Sequence, residues 1–169
     1  MVVYLKIKIQ DIYNRIKLQE NIMGSSLTTS NIFKENKINV NQDLVELESV
    51  DKGEGILSWN FDTNKTETTI VTDKQVSVSE DAEVFYLRCG SDVVSLTAFH
   101  KVPVFIDGGD KEEIAISELL EKENLSVITP DGVRGGIIQQ ADDNTGGTDV
   151  VTLKTEFGYY FSNNILICD

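Results

Sequence analysis

The sequence predicts a mainly β domain, sandwich-like or barrel-like, with one principal α-helix near 110–122; an α+β arrangement is the alternative. Three observations lead there. Short apolar runs recur between clusters of Asp, Asn, Gly and Thr from residue 44 to residue 106, close to the spacing of strands and tight turns. Trp59, Phe61, Phe85, Phe99 and Phe105 fall on alternating positions of their runs, as core anchors of strands do. Near the C-terminus, Gly136-Ile137-Ile138 and Val150 to Phe157 are two β-prone runs on either side of a loop rich in residues that tolerate positive φ, which predicts a hairpin over Ala141 to Asp149.

Taken in order, residues 2–9 alternate late in the run, with Leu5, Ile7 and Ile9 on one side and Lys6 and Lys8 on the other, a strand or an arm that becomes one. Asp11 is placed to cap a short helix through about Glu20. From Asn21 to Gln42 the composition turns to Ser, Thr, Asn and Lys, with isolated apolar residues at Ile32, Phe33, Ile38 and Val40. A stretch of that length without periodicity reads as a surface loop or as an extended arm on a neighbouring subunit. The predicted organisation is therefore a strand and arm over 1–42 and a β-rich domain over 43–169, divisible at 106/107 into two lobes. Val3, Leu5, Ile7, Ile9, Ile32 and Phe33 are the candidate partner-binding residues, because an apolar strand edge gains hydrogen bonds by pairing with another chain.

Strands are expected at Leu44 to Ser49, Gly55 to Phe61, Thr66 to Val71, Gln75 to Ser79, Ala82 to Arg88, Val93 to Phe99 and Val102 to Ile106, with Thr72-Asp73-Lys74 read as a turn. The helix rests on Asp110 as N-cap, Glu112 and Glu113 in the first turn, and an apolar face of Ile114, Ile116, Leu119 and Leu120. Leu125 to Thr129 is a further strand that Pro130-Asp131-Gly132 ends. The tail, apolar at Ile165, Leu166 and Ile167 after two asparagines, docks on the same sheet.

Forty per cent apolar and 25% charged residues support a packed core in a chain of 169 residues. The net charge of −13, without a clustered basic patch, argues against nucleic-acid and anionic-membrane partners. Cys89 and Cys168 match no metal-ligand or redox spacing and read as buried, reduced thiols, in keeping with synthesis in a reducing cytoplasm. No catalytic, cofactor or metal site is expected. The single histidine, His100, ends a β-like run with no Ser or Cys motif beside it, and reads as exposed or half-buried. Gly132, Gly135 and Gly136 lack the lysine and the following helix of a phosphate-binding loop. The oxygen-bearing residues Asp142, Asp143, Asn144 and Asp149 lack the spacing and terminal glutamate of an EF-hand.

Gly136-Ile137-Ile138, the polar loop Ala141 to Asp149, the strand Val150 to Phe157 and the closing segment Tyr159 to Ile165 resemble the lambda-type head decoration (capsid-stabilising) proteins of tailed bacteriophages over about 35 of the 169 residues. The resemblance implies a non-enzymatic virion protein, a trimer on the outside of a capsid, with an N-terminal arm that pairs with the major capsid protein or another virion subunit. The alternative is a β-sandwich recognition module of a phage fibre or tail that binds host carbohydrate. A small hydrolase with an unrecognised site is the third reading.

Overall fold

A computed structural model describes residues 32–33, 36–40, 43–79, 83–141 and 148–169. Val3, Leu5, Ile7, Ile9 and the short helix expected from Asp11 lie outside the described residues. The rest is built from strands: β1 Ile32–Phe33, β2 Lys37–Val40, β3 Asp43–Glu46, β4 Gly55–Asn60, β5 Lys65–Ser79, β6 Val84–Cys89, β7 Asp92–Thr97, β8 Lys101–Ile106, β9 Lys111–Ala115, β10 Leu125–Thr129, β11 Gly132–Gly135, β12 Ile137–Gln140, β13 Thr148–Thr155, β14 Tyr159–Ser162 and β15 Ile165–Cys168. They form a curled sheet of 11 strands, in the order β12-β6-β7-β1-β13-β5-β4-β2-β14-β15 with β3 on β2, and a sheet of four in the order β11-β10-β8-β9. The mainly β class is as the sequence predicts.

The expected helix near 110–122 is corrected. Lys111–Ala115 is strand β9, paired with β8 from Phe105↔Lys111 to Lys101↔Ala115, and Ile116–Leu119 is a single 3₁₀ turn. The reason lies in the residues before it. Asp107 and Gly108 both adopt left-handed backbone (φ 51° and 71°), and the Gly109 amide bonds the Ile106 carbonyl at 2.9 Å, so the chain reverses into a hairpin before Asp110 can cap anything. Ile116 and Leu119, apolar at spacing three, fit one 3₁₀ turn, and both are fully buried as a plug under the sheet.

Two more expectations give way to long-range pairing. Thr72-Asp73-Lys74 is not a turn: β5 runs unbroken for 15 residues, its first half on β4 and its second on β13. Nor do β12 and β13 form a hairpin, since β12 pairs with β6 and β13 with β5 and β1. Local propensity identified each of these runs as a strand, but only tertiary pairing chooses the neighbour.

Ile32 and Phe33, from the candidate partner-binding set, form β1, in register with Val151 and Val150 of β13, and Ile32 also faces Leu96 of β7. β2 pairs with β3, β4 and β14, so the sheet continues across the 42/43 boundary. The main core joins Ile38, Ile56, Leu87, Leu96, Val127 and Ile165, residues from six strands spread over most of the described chain. A second cluster, Ile128, Phe161 and Leu166, is covered by the partly buried rings of Trp59, Phe61, Phe105 and Tyr159. Of the five expected aromatic anchors, Phe99 is the exception, for it is exposed.

Candidate functional site

The closing hairpin carries the last residues of the sequence into the middle of the fold. Asn163 and Asn164 make its two-residue turn with positive φ at both positions (45° and 62°), the conformation that matches strand twist and that asparagine tolerates. Side chains fix that turn in place. Asn163 Oδ1 accepts from the Lys37 amide at 2.5 Å, while its Nδ2 donates to Asn36 Oδ1 at 3.0 Å and to the Val93 carbonyl at 2.7 Å. Asn36, itself buried, donates to the Ser95 carbonyl at 3.0 Å, so strands β2, β7 and β14 meet at two asparagines. All four residues of β15 are then buried, and Asp169 follows.

His100 meets this end. It closes the turn after β7, where its amide bonds the Thr97 carbonyl at 3.0 Å. The 3₁₀ segment clamps the same turn from below, Ile116 N donating to the His100 carbonyl at 2.9 Å and Ser117 N to the Ala98 carbonyl at 3.2 Å. The stretch that the sequence suggested as a helix thus positions the histidine. The side chain is buried, not exposed, and Nε2 lies 2.8 Å from the carbonyl oxygen of Cys168. A carbonyl only accepts, so Nε2 carries the proton and donates.

Asp169 is held on the far side of that peptide bond. Its amide donates to the Gly158 carbonyl at 3.0 Å, and Oδ2 accepts from the Thr155 amide at 2.7 Å and from Thr155 Oγ1 at 3.3 Å. Gly158 can turn its carbonyl this way because its φ is 77°. The Cys168 thiol is buried, and loss of solvent, with the Glu113 carboxylate near, pushes it up to about 12.

A cleft of about 350 Å³ opens beside these groups, bordered by Phe99, His100, Glu113, Tyr159, Cys168 and Asp169. One wall is a self-contained polar cluster. Tyr159 donates to Glu113, Lys111 Nζ bonds Tyr159 Oη at 2.9 Å and Glu113 Oε1 at 3.2 Å, and the ammonium sits 4.1 Å from the centre of the Phe61 ring. The Tyr159 hydroxyl, aided by Lys111 and opposed by partial burial, holds the Glu113 carboxyl below the ordinary carboxylate range. Burial and then the Glu113 carboxylate raise Tyr159. Burial lowers Lys111, but its bonds to Tyr159 and Glu113 outweigh that and leave it raised.

Chemically, a buried N–H aimed at a main-chain carbonyl withdraws electron density from the peptide bond and stabilises an oxyanion formed there. The Asp169 side-chain carboxylate, held by Thr155, is the oxygen nucleophile that stands in the same residue as a main-chain carbonyl. Among the described residues, no three His, Cys, Asp or Glu side chains stand together to hold a metal ion.

No protein-family model and no curated relative matches the chain. Solved structures do. A DnaB intein from Synechocystis sp. PCC 6803 superposes with a TM-score of 0.62 at 20% identity, covering 82% of this chain and 96% of that one. A bacterial intein-like domain from Clostridium thermocellum gives a TM-score of 0.63 at 20% identity, covering 84% and 100%. The gp41-1 intein gives 0.61 at 14% identity, covering 84% and 100%. The chain has the intein fold. This overturns the resemblance to head decoration proteins, and with it the reading as a virion structural protein, whether capsid decoration or carbohydrate-binding fibre or tail module. The residue classes from Gly136 to Ile165 do spell strands, but β12 and β13 belong to separate parts of an intein-like sheet, so the apparent motif joins strands that are not neighbours.

Sequence reasoning missed His100, Thr155, Cys168 and Asp169 as a group. Each is chemically ordinary alone, and His100 and Cys168 are 68 residues apart. The one signal available was a lone histidine closing a strand, in a chain whose apolar tail had to be buried somewhere.

Proposed function

We propose that this domain acts on its own polypeptide, cleaving or splicing the chain at the Asp169 end of β15. The observation that carries the reading is the 2.8 Å bond from His100 Nε2 to the Cys168 carbonyl, buried inside the fold. The chain's single histidine is committed to the main chain of β15. The fold shared with proteins described as inteins, which are self-splicing domains, supports the same reading.

The chemistry follows from the residues in place. Closure of the Asp169 side-chain carboxylate on its own main-chain carbonyl carbon forms a C–O bond and a five-membered cyclic anhydride as the C–N bond to the next residue breaks; the departing nitrogen takes a proton from a water molecule and leaves as an amine, and the hydroxide so formed reopens the anhydride. The Thr155 amide and the His100 imidazole hold the two ends of this short segment, so little rotational freedom remains to be lost on the way to the ring. The Cys168 thiol, pushed up to about 12, stays protonated at neutral pH and is not the nucleophile. Such a reaction happens once per chain, on the chain itself, so the domain is not a turnover enzyme.

The test is a fusion carrying a folded reporter after Asp169, followed by mass spectrometry of the products. Release of the reporter at Asp169 is expected, abolished by Asp169→Ala and slowed by His100→Ala, which frees the Cys168 carbonyl and with it the segment that the imidazole holds in place. A wild-type fusion that is folded by circular dichroism yet stays intact overturns the reading.

A further inference from the structure

The stretch from the end of β13 to the start of β14 carries the bonds to the amide and to Oδ2 of Asp169. Its own place is set by β5. The Glu156 amide donates to the Ile70 carbonyl at 3.1 Å, and the Phe157 amide donates to Oγ1 of the buried Thr69 at 3.1 Å. These two bonds fix the loop without help from β4, yet β4 reaches it as well. Ser58, wholly buried on β4, donates its hydroxyl hydrogen to the Tyr159 carbonyl at 2.6 Å.

That carbonyl stands between two hydroxyls. Thr155 Oγ1 lies 3.3 Å from the Tyr159 carbonyl oxygen and 3.3 Å from Asp169 Oδ2. A hydroxyl has a single hydrogen, so Thr155 donates to only one of them at a time, and by distance alone the two acceptors are equal. Ser58 breaks the tie. With the carbonyl already served at 2.6 Å, the Thr155 hydrogen gains most on the carboxylate, where a charge-assisted bond is the stronger one. Without the Ser58 hydroxyl, the Tyr159 carbonyl competes for the Thr155 hydrogen, because Ser58 is 0% exposed, no solvent stands there to replace it, and an unmet acceptor is costly.

We propose that Ser58 is a positioning residue for self-processing: it occupies the Tyr159 carbonyl and so commits the Thr155 hydroxyl to the Asp169 carboxylate. This rests on the self-processing reading and extends it to a side chain on β4 that acts through Thr155. The experiment is a double-substitution cycle in the reporter fusion, with Ser58→Ala, with Thr155→Val, which keeps the amide and removes only the hydroxyl, and with both. Each single change should slow release about tenfold, the scale of one bond to a charged group. The double variant should be no more than about twofold slower than either single one, because both changes remove the same bond. Additive slowing, towards about 100-fold, would mean that Ser58 only braces the loop, and unchanged release in Ser58→Ala would mean that it does not act on the site. Either result overturns the proposal while leaving self-processing intact. Should the wild-type fusion not be processed, self-processing fails, and the same coupling is read in the intact fusion by hydrogen exchange of the amide at position 155, which donates to Asp169 Oδ2. Exchange about fivefold faster in Ser58→Ala than in the wild type, and no faster in the double variant than in Thr155→Val, supports the proposal. Equal exchange in Ser58→Ala and the wild type, or a further rise in the double variant, overturns it.

Discussion

The closing hairpin β14–β15 and the outer ribbon formed by the second half of β5 with β13 are both antiparallel pairs, yet they meet water differently. In the hairpin, Tyr160, Phe161 and every residue of β15 are buried, and the turn is tied down by Asn36 and Asn163. In the ribbon, β5 holds its register with β13 from Ser79↔Thr148 to Asp73↔Lys154 before a bulge, but Val76 and Val78 are 50% and 61% exposed. The difference teaches that pairing fixes direction and register, while burial fixes position to the precision chemistry needs. It is the buried hairpin that brings Cys168 to His100.

Substitutions should separate the two regions sharply. Phe161→Ala removes a ring that is 2% exposed and packed with Ile128 and Leu166, and should cost about 3–5 kcal/mol, read as a lower urea midpoint. An unchanged midpoint would mean the hairpin is not the anchored region.

A pH series sharpens the same contrast. The buried Cys168 thiol is raised from 9.0 to about 12, so between those values the folded chain keeps a proton that the unfolded chain has lost. Stability due to this group is therefore whole below pH 9 and falls as pH rises toward the folded value, by about 1.4 kcal/mol at pH 10. Urea midpoints at pH 8 and 10 should show that loss in the wild type, and a smaller one in Cys168→Ala. Equal losses in both would place the thiol in contact with water. At the other end of the scale, Val78→Thr on the ribbon should shift the midpoint by no more than about 0.5 kcal/mol, because the side chain already faces solvent. A larger shift would show that the exposed face of the ribbon contributes to the core.

By itself the sequence determined that this is a β protein, and it placed most strands within a residue or two. Leu125–Thr129 and the run from Gly55 carry β-branched and apolar patterns that favour a strand. These are local matters of backbone preference and period. Tertiary structure decided the rest. Lys111 to Leu119 has a helix-like apolar face, but β8 needed an edge partner and the Asp107-Gly108 turn supplied one, so the segment became a strand and a plug beneath His100. Thr72 to Lys74 looks like a turn until β13 offers it hydrogen bonds on the far side. The site itself was beyond local reading, because His100, Thr155 and Asp169 carry no motif and become a chemical unit only through strands paired across much of the chain. Long-range pairing is chosen by the summed burial of all strands, a quantity that no short window of sequence contains.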